Sequence, residues 1–328
     1  MEWTIEKIRL DLKYTWKISR NASTFKENFI VKCQGDGFEG IGEVAPNIRY
    51  NETPENIAAT FGIIKNNLEQ CPSNSEAIET FIGIDTIPNA LKFGIESAFL
   101  HWHCKKNNIT LQQFLGIEKP QHVASCYTLP IMDPSDIKDF YELHNLRRFN
   151  FLKVKVNDEA ALDMMKEIGK LGNHPLMIDA NEAWKDLDVL INFIPKLKSF
   201  PVEFIEQPMP STFEDEYVQL KKHCYLPLMG DESVLHNPNF DLLEKQFDGV
   251  NMKLMKAGSY LNGIKTLKEA KKRNMKTMIG CMVETTLGIK SAWDLCSLAQ
   301  YADLDGCLII DKEPFHLLIE RDGNFYEA

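Results

Sequence analysis

Short apolar runs that lead to a carboxylate recur through the middle of this chain. The runs LMI, VEFI and LPLM precede Asp179, Glu206 and Asp231, and the gaps between these acids are 27 and 25 residues. That spacing matches one strand and one helix of a parallel β/α barrel, whose strands are buried on both sides and are therefore almost continuously apolar. Because the carboxyl ends of neighbouring barrel strands meet at one rim, the spacing predicts that the three acids lie together there.

The same rhythm extends to both sides of the three acids. The candidate strands are VASCYTL (123–129), FLKVKV (151–156), PLMIDA (175–180), VEFIEQ (202–207), LPLMG (226–230), GVNMKL (249–254), KTMIGC (276–281) and GCLII (306–310). The segments between them, such as 158–172 and 259–274, have helical periodicity. Eight strands with only seven full helices between them predict a (βα)7β barrel over residues 121–311.

Residues 1–120 have a different organisation. WTIEKIRLDL and ENFIVKCQ alternate like strands, and GDGFEGIGE indicates a glycine-rich turn that leads into another strand. Helical patterns follow around 55–68, 75–82 and 89–105. Strands followed by helices predict a separate α+β domain, and the tail 312–328 is expected to form strands and turns that return towards it.

Composition argues against several classes of protein. The 328 residues suffice for a barrel and a smaller domain, and a net charge of −10 makes a nucleic-acid surface unexpected. No apolar stretch approaches membrane-spanning length, and the N-terminus lacks the apolar core of a signal peptide. The eight cysteines form no CxxC pair, and Cys126, Cys281 and Cys307 have apolar neighbours, so we expect free thiols in a reducing cytoplasm.

The charged residues of the candidate strands point to a metal and to bases. One acid alone could cap a helix, but three acids at consecutive strand ends, without a nearby His or Cys, are the oxygen ligands that suit Mg²⁺. Lys153 and Lys155 share one face of an otherwise apolar strand, and Lys253 lies in the apolar run VNMKLM. Buried lysines are costly unless they meet anions, so all three are predicted to face the site. A metal flanked by lysines is suited to removing a proton from carbon.

Other polar residues are candidates for supporting or substrate-binding roles. Asp303 and Asp305 in YADLDGCLII share a face near the start of the eighth candidate strand, where they could satisfy turn amides or hold a substrate cation. Lys256 is expected just beyond its strand as a supporting charge. The remaining candidates are Asn181 on the strand face of Asp179, Thr128 in the first strand, Glu284 after the seventh strand, and Arg20, Arg49 and Tyr50 in N-terminal loops that could cover the barrel mouth.

Together these motifs resemble the enolase superfamily, in its muconate-lactonizing-enzyme-like branch. The matching pieces are Lys153-Val-Lys155, Asp179-Ala-Asn181, Glu206-Gln-Pro, Gly-Asp231-Glu232-Ser, Asn-Met-Lys253-Leu-Met-Lys, GEVAP at 42–46 and FGIESAFLHW. No piece is specific alone, but their order and spacing cover nearly the whole chain. The resemblance implies a (βα)7β barrel with an N-terminal α+β capping domain, one Mg²⁺ held by Asp179, Glu206 and Asp231, and often a homo-oligomer.

Within that branch, YADLDG resembles the Asp-x-Asp motif of dipeptide epimerases, the group that contains the L-Ala-D/L-Glu epimerases. There the two aspartates hold the free α-ammonium of the substrate. The resemblance implies Mg-dependent inversion of the α-carbon of a dipeptide's C-terminal residue through an ene-diolate, with Lys155 and Lys253 as the two bases. Nearby positive charge from Mg²⁺ and Lys153 is expected to lower the pKa of Lys253 towards neutrality.

The resemblance also leaves alternatives. An o-succinylbenzoate synthase or an N-acylamino acid racemase of the same branch would share the lysines and metal ligands, but their substrates lack a free α-ammonium, which the Asp303-x-Asp305 motif would hold. A barrel that has lost its chemistry and only binds a partner is the alternative from another class, against which the intact set of charged residues argues. The preferred side chains stay open, with Arg20 as a candidate for a distal carboxylate.

Overall fold

The computed structural model describes residues 1–157 and 161–328. The chain begins with an antiparallel sheet of three strands, β1 (Glu2–Lys17), β2 (Ala22–Gly35) and β3 (Phe38–Val44). Asp36 and Gly37 join β2 to β3 with φ of 52° and 79°, the two positive values that a tight two-residue hairpin turn requires. The predicted strands and glycine-rich turn are therefore confirmed, although β1 and β2 are longer than their sequence patterns.

Four helices follow the sheet and cover one of its faces. They are α1 (Pro54–Gln70), α2 (Ser75–Ile82), α3 (Asn89–Asn107) and α4 (Leu111–Leu115). The close approach of α3 depends on two glycines of β3, because a Cβ at Gly40 would lie 1.9 Å from the carbonyl oxygen of Ala98 and one at Gly42 would lie 2.2 Å from that of Gly94. The predicted α+β organisation of the N-terminal part is thus confirmed, and we call this part the cap.

The rest of the chain forms the barrel. A short strand β4 (Val123–Ala124) precedes eight parallel strands: β5 (Cys126–Leu129), β6 (Phe151–Lys155), β7 (Leu176–Asp179), β8 (Val202–Glu206), β9 (Leu228–Gly230), β10 (Gly249–Lys253), β11 (Lys276–Gly280) and β12 (Tyr301–Asp303). The helices between them are α5 (Ile137–Leu143), α6 (Ala161–Leu171), α7 (Leu187–Phe193), α8 (Glu214–His223), α9 (Phe240–Gln246), the single turn α10 (Leu254–Ala257) with α11 (Tyr260–Lys272), and α12 (Thr286–Trp293). The (βα)7β barrel is confirmed; the start of the helix predicted over 158–172 lies outside the described residues.

The barrel interior has an apolar layer beneath a polar rim. The layer consists of Cys126, Met177, Phe204, Met229 and Met278, all at most 1% exposed. Each stands two residues before a position at the carboxyl end of its strand or in the loop that follows, and so points to the same side as that position. The side chains two residues further on, those of Thr128, Asp179, Glu206 and Asp231, are therefore held at the rim above this packed layer.

The first and last barrel strands meet through side chains. The strands pair in sequence order from β5 to β12, and within the described residues no backbone ladder joins these two. Instead, the amide of Leu304 donates to Ser125 Oγ at 2.9 Å, and Cys126 Sγ donates to Asp303 Oδ1 at 3.2 Å. The seam between β5 and β12 therefore fixes the position of Asp303.

The eighth strand differs from its prediction. GCLII (306–310) is not a strand: a 3-10 turn covers Asp305–Cys307, and β12 lies earlier in the chain. The apolar run is buried because Ile309 and Ile310 pack against Leu10 of the cap and Val283, so its hydrophobicity reflects contact with the cap and not a barrel strand. Asp303 consequently ends the last strand, whereas the sequence pattern predicts it near the start.

The C-terminal tail forms the predicted strands and turns. β13 (Leu318–Arg321) and β14 (Asn324–Glu327) make a hairpin that pairs with β4. The domain limits at 120/121 and 311/312 stay predictions. All eight cysteines are unpaired, which confirms the expected free thiols. Along the described residues, no helix is both long and apolar enough to cross a membrane.

One buried acid joins the cap to the barrel and makes stability depend on pH. Glu96 of α3 is 4% exposed, and its carboxylate accepts the backbone amide of Tyr260 at the start of α11 at 2.5 Å. Burial raises the pKa of Glu96 to about 8, against the lowering by that hydrogen bond. From the ordinary carboxyl range up to about pH 8, the folded state therefore holds a proton that the unfolded state has lost, and the free energy of unfolding falls as pH rises.

We expect Glu96→Gln to flatten this dependence, because the amide keeps the acceptor without ionising. Relative to the parent chain, the variant should gain up to about 1.4 kcal/mol of unfolding free energy per pH unit between pH 6 and 8. Urea unfolding at pH 6, 7 and 8 measures the difference, with Glu142→Gln on an exposed position as the control. Parallel pH curves for the parent and Glu96→Gln would contradict the prediction.

Candidate active site

The carboxyl ends of the barrel strands bring most of the predicted site residues together. Lys155 lies directly beside Asp179 in the ladder between β6 and β7, and Asp179 lies beside Glu206 in the next ladder. Asp231 follows the last residue of β9, and Lys253 ends β10. The sequence prediction that these residues share one rim is therefore confirmed by their positions in the fold.

Lys153 lies at the centre of the buried charges. Its side chain is 1% exposed, and its Nζ lies 2.8 Å from Asp179 Oδ2, 2.8 Å from Glu206 Oε2 and 2.7 Å from Asp303 Oδ2. Burial lowers the pKa of Lys153, but the surrounding carboxylates outweigh burial and hold the pKa well above its usual value. Lys153 is thus a fixed ammonium that neutralises the acids of three strands.

Two further lysines face each other across the barrel. Lys155 Nζ lies 2.5 Å from Asp179 Oδ2, and Lys253 Nζ lies 2.9 Å from Asp231 Oδ2. Their strands are the second and sixth of eight, which places them on opposite sides of the barrel axis. The two ammonium groups can therefore approach a molecule at the rim from opposite directions.

The pKa of Lys253 departs from the expected lowering. Burial lowers it and so does the charge of Lys153, but the carboxylates of Asp231, Glu206 and Asp303 together outweigh both, and the net pKa is raised above the usual value. Asp231 is held in turn by Lys256, whose Nζ lies 2.6 Å from Asp231 Oδ1 and also donates to the Asp231 carbonyl. The predicted lowering rested on the charges of Mg²⁺ and Lys153 and omitted this carboxylate.

The acids and amides at the rim fit a hard cation chemically. Asp179, Glu206 and Asp231 offer only oxygen donors, which Mg²⁺ prefers. The side-chain oxygens of Asn181 and Asn251 are buried without a hydrogen-bond donor, and Glu206 Oε2 has the ammonium of Lys153 beside it at 2.8 Å. Among residues 1–157 and 161–328, no three acids, imidazoles or thiolates converge as a metal site does, because lysine ammonium groups lie between the carboxylates.

Of the three candidate metal ligands, Glu206 is the one whose negative charge is least offset by neighbouring cations. Burial and then the charge of Asp179 raise its pKa to about 7, while Lys153 lowers it. Asn251 Nδ2 donates to Glu206 Oε1 at 2.7 Å. Asn251 was missed in the sequence, although it stands two residues before Lys253 and so shares its inward face.

A cavity of about 680 Å³ lies between this rim and the cap. The predicted residues that line it are Lys155, Lys253, Asn181, Asp231, Asp303, Asp305, Thr128, Arg20 and Tyr50. Lys153, Asp179, Glu206 and Lys256 are not among the lining residues and support it from below. Proton-transfer candidates and substrate-binding candidates therefore share one space.

Asp303 and Asp305 form a pair of acids on the wall of the cavity. Asp305 accepts the backbone amide of Thr128, and burial followed by the charge of Asp303 raises its pKa to about 7. For Asp303, burial raises the pKa, but the ammonium groups of Lys153, Lys253 and Lys155 together outweigh burial and the net pKa is lowered. The prediction that the two acids share a strand face is wrong, because Asp303 ends β12 and Asp305 begins the 3-10 turn.

Two other predicted positions need correction. Glu284 does not line the cavity: its carboxylate accepts the amide of Met282 at 2.7 Å, and burial followed by the charge of Glu43 raises its pKa to about 8. Asn181 is not on the strand face of Asp179, because β7 ends at Asp179 and Asn181 has a φ of 44°. Its backbone amide instead donates to Asp179 Oδ1 at 3.0 Å.

Ion pairs hold the cap over the barrel mouth. Arg20 donates to Glu182 Oε2 at 3.0 Å and to Glu232 Oε1 at 2.8 Å, and Arg49 makes two bonds of 2.8 Å to Glu182. Sequence reasoning assigned neither glutamate to this contact. The available signal was their position directly after Asn181 and Asp231, on the same loops at the strand ends.

Gln207 is a further positioning residue that sequence reasoning did not assign. It is fully buried, and its Oε1 accepts the backbone amides of Asp231 at 2.9 Å and Ser233 at 3.1 Å. Its Nε2 donates to Tyr217 Oη at 2.9 Å, and its backbone has a φ of 36°, in the left-handed region. The motif Glu206-Gln207-Pro208 therefore orients Asp231 across two strand ends.

Comparison with known families agrees with this geometry. Residues 137–318, more than half of the chain, match the family described as Enolase C-terminal domain-like. The chain belongs to the enolase superfamily. A superfamily relative from Flavobacterium johnsoniae, named L-Ala-D/L-amino acid epimerase, is 29% identical over 328 residues and covers 98% of this chain and 96% of the relative.

Two other members of the superfamily extend the comparison. A protein of the same name from Pedosphaera parvula is 30% identical over 319 residues, which cover 93% of this chain and 90% of that protein. The crystal structure of a dipeptide epimerase from Enterococcus faecalis, complexed with Mg and the dipeptide L-Leu-L-Tyr, aligns with a TM-score of 0.87 and 25% identity over 100% of this chain and 96% of that one. The (βα)7β barrel and its cap are thus shared along the whole length.

Proposed function

We propose that this protein is a Mg-dependent dipeptide epimerase that inverts the α-carbon of the C-terminal residue. The observation that carries the proposal is the placement of Lys155 and Lys253 on opposite sides of one cavity, which Asp303 and Asp305 also line. Inversion requires a proton to leave one face of the carbon and another to reach the opposite face. Two bases on opposite walls of one cavity provide this arrangement.

Each lysine has a defined part in the proposed reaction. One of Lys155 and Lys253 takes the α-proton at its Nζ as a neutral amine, and the other donates a proton from its ammonium to the opposite face. Their roles exchange with the direction of the reaction. Lys153 keeps its charge throughout, because three carboxylates surround it, and it offsets negative charge near the substrate carboxylate.

Asp179, Glu206 and Asp231 would hold the metal ion. Bound Mg²⁺ would supply positive charge that favours ionisation of the α-carbon by stabilising charge on the substrate carboxylate. Asn181 and Asn251 contribute acceptors without partners beside these ligands. Lys256 and Gln207 position Asp231 from below.

Asp303 and Asp305 are proposed to bind the free α-ammonium of the dipeptide. Asp303 is paired with Lys153, whereas Asp305 accepts a hydrogen bond from the neutral backbone amide of Thr128, so the two buried acids retain the capacity to bind a further cation. This fixes the order of the two residues, because the ammonium belongs to the first and the reacting carbon to the second. The epimerase names of both curated relatives support this choice over N-acylamino acid racemisation, whose substrates carry no ammonium.

The proposal also covers the roles of the two domains and the location of the protein. Residues 1–120 form the capping domain that selects substrate, and residues 121–311 form the catalytic barrel. The eight unpaired thiols support a reducing, cytoplasmic location.

The deciding experiment is a mass-spectrometric screen of L,L-dipeptide pools in D₂O with the protein and Mg²⁺. We expect particular dipeptides to gain one mass unit, since the α-proton is replaced by deuterium, and we expect chelation to abolish the gain. A chiral separation then identifies the L,D product. Absence of exchange in every pool, with Mg²⁺ binding seen by calorimetry, would refute the proposal and direct the same assay to N-acylamino acids and to succinylbenzoate formation.

A further inference from the structure

We propose that Asn251 and Gly280 act together as a positioning pair for Glu206, so that this carboxylate is presented to the metal ion in one fixed orientation. The inference rests on the Mg²⁺ site of the proposed function and adds to it two residues from strands that carry none of the three proposed ligands. It depends on the hydrogen bond that Asn251 donates, on the space that Gly280 leaves, and on the unusual surroundings of the Asn251 side-chain oxygen.

Glu206 is held from both sides by residues of the barrel interior. Lys153 of β6 lies 2.8 Å from Glu206 Oε2, and Asn251 of β10 donates from Nδ2 to Glu206 Oε1 at 2.7 Å. Lys153 lies beside Met177 in the ladder of β6 and β7, at the level of the apolar layer beneath the rim. Asn251 lies beside Met278 in the ladder of β10 and β11, at the same level. The two polar side chains therefore fix both carboxylate oxygens from within the barrel.

Gly280 provides the space that the Asn251 amide occupies. A Cβ at position 280 would lie 2.5 Å from Asn251 Oδ1 and 2.9 Å from Asn251 Nδ2, closer than non-bonded atoms approach each other. The φ of Gly280 is not in the left-handed region, so the requirement for glycine at this position is steric and not conformational. Gly280 also stands two residues after Met278, at the rim position where four other strands carry polar side chains.

The orientation of the Asn251 amide follows from its partner. A reversed amide would direct Oδ1 at the Glu206 carboxylate, and two acceptors would then face each other. In the observed orientation, Asn251 is fully buried and its Oδ1 has no hydrogen-bond donor among residues 1–157 and 161–328. A buried amide oxygen without a donor lowers stability, and an apolar residue at this level would avoid that loss. The hydrogen bond to Glu206 is therefore the reason we assign to the amide.

The backbone of Asn251 extends the arrangement to a second proposed ligand. Its carbonyl oxygen accepts a hydrogen bond from Lys256 Nζ at 3.2 Å, and the same ammonium lies 2.6 Å from Asp231 Oδ1. Asn251 thus supports Glu206 directly and Asp231 through Lys256. Groups that hold the ligands of a metal ion in this way commonly contribute about 10- to 100-fold to metal affinity.

The test measures Mg²⁺ binding by calorimetry in the absence of substrate. Asn251→Ala removes the donor and should weaken Mg²⁺ affinity about 10- to 100-fold. Gly280→Ala keeps the donor but adds the Cβ that displaces the amide, so it should weaken Mg²⁺ affinity by a similar factor. Asn251→Leu restores the branched shape of the side chain without a donor, and it should show the same loss if the hydrogen bond, and not the filled volume, is what matters.

The double variant distinguishes one shared role from two separate roles. With the Asn251 amide removed, a Cβ at position 280 has no amide to displace. Asn251→Ala with Gly280→Ala should therefore bind Mg²⁺ within about twofold of Asn251→Ala alone, whereas independent roles would multiply the two factors. α-Proton exchange provides a second readout. Displacement of Asn251 should raise the Mg²⁺ concentration needed for half-maximal exchange, whereas displacement of Lys253, whose Cε lies 3.0 Å from the added Cβ, would lower the rate at saturating Mg²⁺.

Two controls make the same chemical changes away from the rim. Gln112→Ala removes a buried amide that donates to Asp294 Oδ1 at 2.5 Å, while Asp294 keeps its ion pair with Lys290. Gly263→Ala adds a Cβ that would lie 3.1 Å from Met252 Sδ, on the outer side of β10. Both should leave Mg²⁺ affinity within about twofold of the parent protein. Thermal unfolding without metal verifies that every variant is folded.

The outcomes separate this inference from the proposed function. The positioning pair is overturned if Asn251→Ala and Asn251→Leu both bind Mg²⁺ within about twofold of the parent, or if the factors of the two alanine substitutions multiply. It is also overturned if Gly280→Ala lowers only the exchange rate at saturating Mg²⁺, because the added Cβ then acts on Lys253. If the variants lose Mg²⁺ affinity as expected but the parent exchanges the α-proton of no dipeptide, the epimerase function fails while the positioning pair stands.

Discussion

Lys155→Ala and Lys253→Ala are each expected to lower the rate of epimerisation by about 10³- to 10⁴-fold, the upper range for loss of a general acid or base. Each variant should still exchange the α-proton of one epimer with solvent deuterium, because one base remains on one face. The two variants should retain opposite epimers, since the lysines stand on the second and the sixth barrel strand.

The surroundings of the two lysines indicate that either substitution would impair proton transfer without unfolding the protein. Without Lys155, Asp179 keeps Lys153 at 2.8 Å, and without Lys253, Asp231 keeps Lys256 at 2.6 Å. Neither substitution leaves a buried acid without a cation, so folding should survive. Lys166→Ala, on an exposed helix position, is the control. Full epimerisation by either variant would eliminate the two-base mechanism.

The double substitution Asp303→Asn with Asp305→Asn is expected to lower kcat/KM for dipeptides by about 10²- to 10³-fold, as loss of a buried charge pair does. Mg²⁺ affinity should change little, because the three proposed ligands lie at the carboxyl ends of other strands. The amide side chain introduced in place of Asp305 would still offer an acceptor to the backbone amide of Thr128, and Lys153 would retain Asp179 and Glu206. Calorimetry with Mg²⁺ and exchange kinetics with dipeptides measure the two effects separately.

An N-acetylated dipeptide provides the matched control for the ammonium. The parent should discriminate strongly against it, and the double variant should lose most of that discrimination because neither substrate form then meets a charged partner. If the double variant turns over free dipeptides at the parental rate, the two acids do not bind the ammonium, and the substrate is held in another way.

The barrel could be predicted from sequence because its strands have a strong local signal. Each buried strand is an apolar run, and Asp179, Glu206 and Lys253 interrupt this pattern where a strand ends, so their common rim follows from topology alone. The failure at 306–310 shows the limit of that signal. Ile309 and Ile310 are apolar because the cap covers them, and a contact between distant segments leaves no period in the local sequence.

The finer geometry of the site depends on contacts that sequence spacing does not contain. The roles of Glu182 and Glu232 became visible only with Arg20 and Arg49, which lie more than 130 residues away along the chain. The raised pKa of Glu284 depends on burial and on the charge of Glu43, a cap residue. The direction of the pKa shift of Lys253 depends on the distances to several charged neighbours with opposing effects, and the sequence does not contain these distances.

The cavity has two walls of different origin, and this has a consequence for how new specificities could arise. The groups proposed to move protons and hold the metal belong to the barrel strands, whereas Trp16, Lys26 and Tyr50 belong to two short stretches near the N-terminus. With the role proposed for the cap, a combinatorial library confined to those stretches would alter the selected side chains while leaving the reaction centre intact. Gene segments encoding the first 55 or so residues could accordingly be exchanged between homologues as a unit to obtain new substrate ranges.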